Sequence, residues 1–158
     1  MRKLRHTVDM RHLVFVYGTL KQGFPNFAQN AGTRLPGHFV TTQPYPLYLV
    51  GERFSPWLVN CPGEGEHVTG QVFEVDDAAL AAMDTLERIT APDGYRRVVL
   101  ALESVPAHSS QRLQAFAYVK PAEHFTPSLA HLGPIREYTL EHAALYRPRP
   151  EGPTERSL

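Results

Sequence analysis

Fourteen prolines and eleven glycines are distributed along the whole of this 158-residue chain. Proline ends helices and central strands, and glycine weakens both, so a chain interrupted this often favours short strands and shaped loops over long helices. The pattern predicts five or six strands and one convincing helix. The chain contains neither an internal repeat nor a domain linker, and its length suits one domain with its own core. We therefore expect a single mixed α/β domain.

The predicted strands are short apolar runs rich in valine, leucine and aromatic residues. They cover residues 13–17, 37–42, 47–50, 68–75, 95–102 and 113–119, with a further apolar run at 57–59. A turn of helix is predicted over 26–30 and a short helix over 140–146. The segment Pro44-Tyr45-Pro46 predicts an extended loop and is a candidate for a cis bond. We place the domain at residues 12–147, after an N-terminal extension over 1–11. A disordered tail is predicted over 148–158, where charge and proline replace any apolar pattern.

The charges of the chain balance, with sixteen lysines and arginines against sixteen aspartates and glutamates. A neutral chain has no overall basic field to attract nucleic acid or anionic lipid, so we expect neither nucleic acid nor membrane as a partner. No apolar run is long enough to cross a membrane. The basic N-terminus is followed by only five apolar residues, fewer than a secretory signal requires. We therefore expect a cytoplasmic protein.

Cys61 is the only cysteine, which excludes a disulfide framework within the chain and a cysteine-rich zinc module. It precedes a proline in a predicted turn that has no feature to activate a thiol. The eight histidines show neither the HxH nor the HExxH spacing of metal sites. We therefore expect no metal site and no cofactor.

The most informative segment is the predicted helix from residue 78 to about residue 88, which either Asp76 or Asp77 would cap. At about 100° per residue, one face of this helix is apolar and consists of Ala79, Leu80, Met83 and Leu86. Glu87 follows Met83 by four residues and projects into the same face. A carboxylate is costly to bury there, and burial raises its pKa toward the range useful for proton transfer.

Glu87 also has a simpler interpretation as a last-turn residue. Its side chain would then turn to solvent or pair with Arg88, Arg96 or Arg97. The helical spacing alone leaves both interpretations open. Asp84 lies at the edge of the apolar face.

The second feature is the loop Tyr17-Gly18-Thr19-Leu20, which directly follows the first predicted strand. A glycine at this point lets the backbone approach a ligand, and consecutive N–H groups form an anion-binding concavity. The loop lacks the GxxxxGK[ST] spacing of a P-loop, and a plain strand-to-turn transition is the alternative. Trp57, beside Pro56, is either a loop residue packed over the core or the wall of a pocket.

Several segments match a known family in order along the chain. They are Val14-Phe-Val-Tyr-Gly-Thr-Leu-Lys-Gln-Gly-Phe-Pro-Asn26, Pro44-Tyr-Pro-Leu47, Gly51-Glu52, Pro56-Trp-Leu58, Pro62-Gly-Glu-Gly65, Gly70-Gln-Val-Phe-Glu-Val-Asp76, Met83-Asp84 with Glu87, and Gly94-Tyr-Arg-Arg97. Together they resemble the gamma-glutamylcyclotransferase-like (AIG2-like) superfamily and, more narrowly, its gamma-glutamylamine cyclotransferase branch. The resemblance runs from about residue 13 to residue 119. A looser match follows at Tyr138 and at Tyr146-Arg-Pro-Arg149.

The resemblance implies a small five- to six-stranded β-barrel with short helices. It implies an enzyme that converts a gamma-glutamyl amine to 5-oxoproline and a free amine, by attack of the substrate's own α-amine. In this reaction Glu87 would be the catalytic general acid and base. Substrate would be bound by Tyr17, Gly18, Thr19 and Leu20, and also by Trp57 and Tyr95. The chain departs from the family pattern at Leu86 and over 88–93, which bears on the identity of the leaving amine.

Two alternatives to this function stay open. One is a non-catalytic protein that binds a small molecule on the same fold. The other is a cyclotransferase that acts on a different gamma-glutamyl substrate. The sequence also leaves open the leaving amine and the oligomeric state.

Overall fold

The computed structural model describes residues 10–105 and 111–149. Within them the chain forms nine strands and two α-helices. The strands are β1 (Arg11–Val16), β2 (Thr33–Arg34), β3 (His38–Thr41), β4 (Leu47–Val50), β5 (Ser55–Leu58), β6 (Thr69–Asp76), β7 (Arg96–Val105), β8 (Arg112–Val119) and β9 (Ala130–Leu132). The helices are α1 (Asp77–Leu86) and α2 (Leu140–Ala143), and 3-10 turns cover Phe27–Gln29, Ala122–His124 and Pro127–Leu129. The predicted mixed α/β fold is confirmed. None of the described helices has the length and apolar character needed to cross a membrane.

The larger sheet closes on itself because β1 pairs on both of its edges. Its strand order is β1-β8-β7-β3-β6-β2, and β1 also pairs with β6. Val14 lies opposite Phe116 of the parallel strand β8 and opposite Phe73 of the antiparallel strand β6. Five strands therefore form a closed ring, and β2 adds to β6 beside β3. Closure removes the exposed edges that an open sheet would present.

The smaller sheet, in the order β5-β4-β9, is joined to the barrel where β5 and β8 end. The amide of Lys120 donates to the carbonyl of Leu58 over 2.8 Å, and the amide of Asn60 donates to the carbonyl of Lys120 over 2.9 Å. Val59 and Lys120 form the corresponding parallel bridge. This junction carries residues from both sheets to one end of the barrel.

Alternation along β1 divides the core into two clusters. Phe15 points into the barrel interior, where it joins Phe39, Val72 and other buried residues. Val14 and Val16 point the opposite way, toward α1. Side chains alternate between the two faces of a strand, so one strand serves both clusters. Burying a side chain such as Met83 of α1, which is 1% exposed, contributes about 1.5 to 3 kcal/mol.

The structure also differs from the sequence-based predictions in detail. In the run at 57–59, Trp57 and Leu58 end strand β5, which includes Pro56, and Val59 follows the strand. Proline fits there because β5 lies at the edge of its sheet. The predicted cis bond at 44–46 is wrong: within the described residues the cis bond is Gly133-Pro134. Instead Tyr45 exchanges both backbone hydrogen bonds with Glu66, which holds this segment extended.

The limits of the domain fall partly outside the described residues. Arg11, assigned to the predicted extension, is the first residue of β1 and pairs with Asp76. Pro148 and Arg149, assigned to the predicted tail, line a cavity. Residues 1–9 and 150–158 lie outside the described part, so the extension and tail stay predictions there.

Candidate active site

Helix α1 begins and ends at well-defined residues, and Glu87 lies at its end. The Asp76 side chain caps the helix by accepting a hydrogen bond from the amide of Ala79 over 2.8 Å. The amide of Glu87 still donates to the carbonyl of Met83. Arg88 then adopts a positive φ of 56° and reverses the chain, so the helix ends two residues before the predicted limit.

The chain after α1 returns at once to the site. The amide of Tyr95 donates to the carbonyl of Glu87 over 3.0 Å. Gly94 allows this close return, because a Cβ at this position would clash with the carbonyl oxygen of Arg88. Backbone hydrogen bonds therefore hold Glu87 from both sides, and its carboxylate is aimed by the backbone rather than by a side-chain partner.

The three arginines that the sequence offers as partners of Glu87 all interact with other groups. Arg88 pairs with Asp93 over 3.0 Å and Arg97 pairs with Asp84 over 2.7 Å. The guanidinium of Arg96 donates to backbone carbonyls of the loop after α1. Among the residues described here, the Glu87 carboxylate has neither a hydrogen bond nor an ion pair. The structure therefore does not support the pairing alternative.

Glu87 lines an inner cavity of about 290 Å³ together with Tyr17, Gly18, Thr19, Leu20 and Tyr95. Burial raises the pKa of Glu87 from 4.5 to about 7. The positive charges of Lys120, Arg149 and Arg53 lower it by less. Near neutral pH both the protonated and the ionised forms are present, and a group of this kind can accept and return a proton.

The loop after β1 presents unused donors to the same cavity. Tyr17 is buried and its hydroxyl donates to the carbonyl of Tyr118 over 2.6 Å. Asn26 holds the loop by donating its amide and side-chain N–H groups to Thr19. Within the described chain, the amides of Gly18, Thr19 and Leu20 have no acceptor. Consecutive free amides of this kind suit a carboxylate or a developing oxyanion.

Gly18 has a packing role as well as the predicted one. A Cβ at this position would lie 2.7 Å from Cγ of Pro56, which is itself part of the cavity wall. The absence of a side chain at Gly18 therefore allows β5 to pack against the loop after β1. A substitution here would reshape the cavity in addition to crowding a ligand.

The chain also matches known proteins. The family described as Gamma-glutamyl cyclotransferase, AIG2-like matches residues 14–140, which include the loop after β1 and Glu87. The chain belongs to this family. Relatives named gamma-glutamylaminecyclotransferase include a Bos taurus protein, 37% identical over 86% of this chain and 82% of its own length. A Homo sapiens relative of the same name is 36% identical over 87% of this chain and 97% of its own length.

The fold of this family member is also that of a solved relative. The crystal structure of an AIG2-like protein from Mus musculus matches with a TM-score of 0.75 and 30% identity. The match covers 90% of this chain and 99% of the mouse chain. The arrangement of strands and helices described above is therefore a known architecture.

Five of the six predicted substrate-binding residues line the cavity with Glu87, and Trp57 does not. Trp57 lines a neighbouring outer cavity of about 700 Å³. Lys120 lies between the rings of Trp57 and Tyr95, at 4.4 and 4.5 Å from their centroids, and donates to the carbonyl of Asp93. Burial lowers the pKa of Lys120 to about 8. The inner and outer cavities share Arg53, Ser55, Tyr95 and Arg149.

Several residues of the site were missed at the sequence level. The additional residues of the inner cavity include Asn26, Arg53, Ser55, Tyr118, Tyr146 and Arg149. The looser family match at residues 146–149 was the available signal for the last two. Asp84, predicted to be peripheral, accepts hydrogen bonds from Tyr118 and Arg97, both over 2.7 Å. It therefore supports the Tyr118 wall of the cavity.

Proposed function

We propose that this chain converts a gamma-glutamyl amine to 5-oxoproline and a free amine. The supporting observation is a carboxylate with a pKa of about 7, Glu87, beside the free amides of the loop after β1. The substrate supplies its own nucleophile, the α-amine. The enzyme has to hold it in the ring-closing conformation, and such positioning lowers the barrier substantially.

Each step of the proposed reaction has a group to perform it. The ionised Glu87 takes a proton from the α-nitrogen, and this nitrogen forms a bond to the γ-carbonyl carbon. The bond from this carbon to the leaving nitrogen then breaks, and protonated Glu87 returns a proton to that nitrogen. Starting from an α-ammonium, two protons leave the α-nitrogen and two reach the leaving amine, and Glu87 can carry them in turn.

The amides of Gly18, Thr19 and Leu20 would bind either the α-carboxylate or the oxyanion that develops on the γ-carbonyl. In both cases they act as donors held in place by the backbone of the loop. Tyr17 and Tyr95 form the adjoining walls, and burial raises the pKa of both hydroxyls. They therefore stay neutral and do not compete with Glu87 for the proton.

The decisive experiment is product analysis with gamma-glutamyl amines, gamma-glutamyl peptides and gamma-glutamyl acyl intermediates. We expect 5-oxoproline and free amine in equal amounts from the gamma-glutamyl amines. Formation of 5-oxoproline only from another group would support a different gamma-glutamyl substrate. Binding without any 5-oxoproline would support the non-catalytic protein, which gains nothing from the cost of burying Glu87.

We also propose that the protein acts in the cytoplasm. A lone cysteine is typical of proteins in reducing compartments. Fractionation of cells that express the tagged full chain would test this location.

A further inference from the structure

The C-terminal strap, residues 146–149, is hydrogen-bonded to Arg53 in the turn between β4 and β5. The amide of Arg147 donates to the carbonyl of Arg53 over 2.9 Å, and Nε of Arg53 donates back to the carbonyl of Arg147 over 3.1 Å. The Arg53 guanidinium also donates to the hydroxyl of Tyr146 over 3.0 Å. Asn26 donates to the same hydroxyl over 3.2 Å. These contacts bring Arg149, two residues further on, to the rim of both cavities.

The outer cavity has more positive than negative charge available to a ligand. Its charged side chains are Glu52, Arg53, Arg88, Asp93, Lys120 and Arg149. Arg88 and Asp93 pair with each other over 3.0 Å. Lys120 is buried, lies against two aromatic rings and donates to a backbone carbonyl. Across residues 10–105 and 111–149, neither Arg53 nor Arg149 has a carboxylate partner.

The shared wall of the two cavities gives the direction in which a substrate would extend. With its γ-carbonyl beside Glu87, a gamma-glutamyl amine would have its glutamyl part in the inner cavity. Its leaving amine would then extend past Arg53 and Arg149, which line both cavities, into the outer cavity. We infer that Arg149, with Arg53 beside it, selects leaving amines that carry a carboxylate. This inference rests on the proposed function.

Charge-assisted hydrogen bonds from a guanidinium to a carboxylate are stronger than neutral ones and can be bidentate. An ammonium group at the same place would be repelled. Arg149 is exposed, so solvent screens the interaction and the expected effect on KM is modest. Arg149 is thus a specificity-determining residue, and its positive charge also lowers the pKa of Glu87, an effect common to all substrates.

The experiment uses four gamma-glutamyl conjugates of equal reach. They are linked through the ε-amine of lysine, through 6-aminohexanoate, through 1,5-diaminopentane and through pentylamine. With the wild-type chain we expect kcat/KM to be higher for the two conjugates that carry a carboxylate than for pentylamine, and lowest for diaminopentane. Arg149→Met should lower the preference for 6-aminohexanoate over pentylamine about fivefold, mainly through KM. Arg149→Lys should retain part of it.

Arg112→Met is the matched control, because it removes one exposed positive charge from β8 outside both cavities and should keep the preference. Thermal melting of each variant checks folding. Equal losses on all four conjugates in Arg149→Met would show that Arg149 acts on the common glutamyl part or through the pKa of Glu87, and would overturn the inference. If the wild type has the same kcat/KM on all four conjugates, the inference is overturned and the proposed function is kept. No 5-oxoproline from any conjugate would overturn the proposed function and the inference with it.

Discussion

Replacing Glu87 by glutamine keeps the length of the side chain and its hydrogen-bonding reach but removes the group that carries the proton. General acid–base catalysis of this kind contributes about 10² to 10⁴ in rate. Glu87 would act twice, first on the α-nitrogen and then on the leaving nitrogen. Within the described residues its carboxylate also has no partner that glutamine would strand. We therefore expect Glu87→Gln to lower kcat by at least about 10² while substrate binding is kept.

The same variant, which should lose activity, should gain stability at high pH. The pKa of Glu87 is about 7 in the folded chain against an ordinary 4.5. Between these pH values the folded chain binds more protons than the unfolded chain, so its free energy of unfolding falls as the pH rises. Above pH 7 the buried charge costs up to about 3 kcal/mol. Glutamine does not titrate, so Glu87→Gln should become more stable than the wild type at pH 8 but not at pH 4.

The assay measures 5-oxoproline formation, and urea denaturation at pH 4 and pH 8 measures stability. Glu74→Gln is the matched control, because Glu74 is exposed on β6 and undergoes the same chemical change. Asp84→Asn is a second control that should reduce the rate far less, since asparagine keeps an acceptor for the Tyr118 hydroxyl. Near-normal turnover by Glu87→Gln together with its loss in Asp84→Asn would refute this reasoning.

We expect kcat to fall below about pH 7, because Glu87 is then protonated before it can accept a proton; a flat profile between pH 5 and pH 8 would contradict this. Gly18→Val should weaken 5-oxoproline binding about tenfold or more, or 1.4 kcal/mol, because the new side chain collides with Pro56. Titration calorimetry on the folded variant measures this loss, and wild-type affinity would rule out the proposed position of the product. A chain that ends at Arg149 should keep its melting temperature and turnover, since residues 150–158 have no apolar pattern to bury. A large loss of either quantity would show that these residues contribute to the fold or the site.

Local patterns in the sequence were sufficient to predict the elements that carry the site. The apolar spacing of α1 placed Glu87 among Leu80 and Met83, and both of those residues are buried. A short apolar run followed by glycine predicted the strand and the loop that present the free amides. These predictions depend on neighbours within a few residues, for which periodicity is informative.

The features that the sequence did not predict depend on distant partners. The resemblance implied the barrel, but no pattern in β1 indicates that it pairs on both edges. Arg53 and Arg147 are separated by 94 residues, and the charge-rich composition around Arg149 is equally typical of a disordered tail. Asp84 is predicted to be peripheral because its partners, Arg97 on β7 and Tyr118 on β8, are distant from helix α1 in the sequence. Only tertiary contacts bring such residues together.

The double pairing of β1 has a consequence for measuring ligand binding without turnover. A strand bonded on both edges inside a closed ring opens only when the barrel opens, so its amides should exchange with solvent through global unfolding. A product bound at the loop after β1 would slow this exchange by the factor 1 + L/Kd, where L is the free concentration of the product. Val14 and Phe15 are almost completely buried in this strand. The hydrogen-exchange rates of their amides would therefore measure the affinity of the protein for 5-oxoproline. The measurement needs no turnover, so it applies to the wild type and to inactive variants alike.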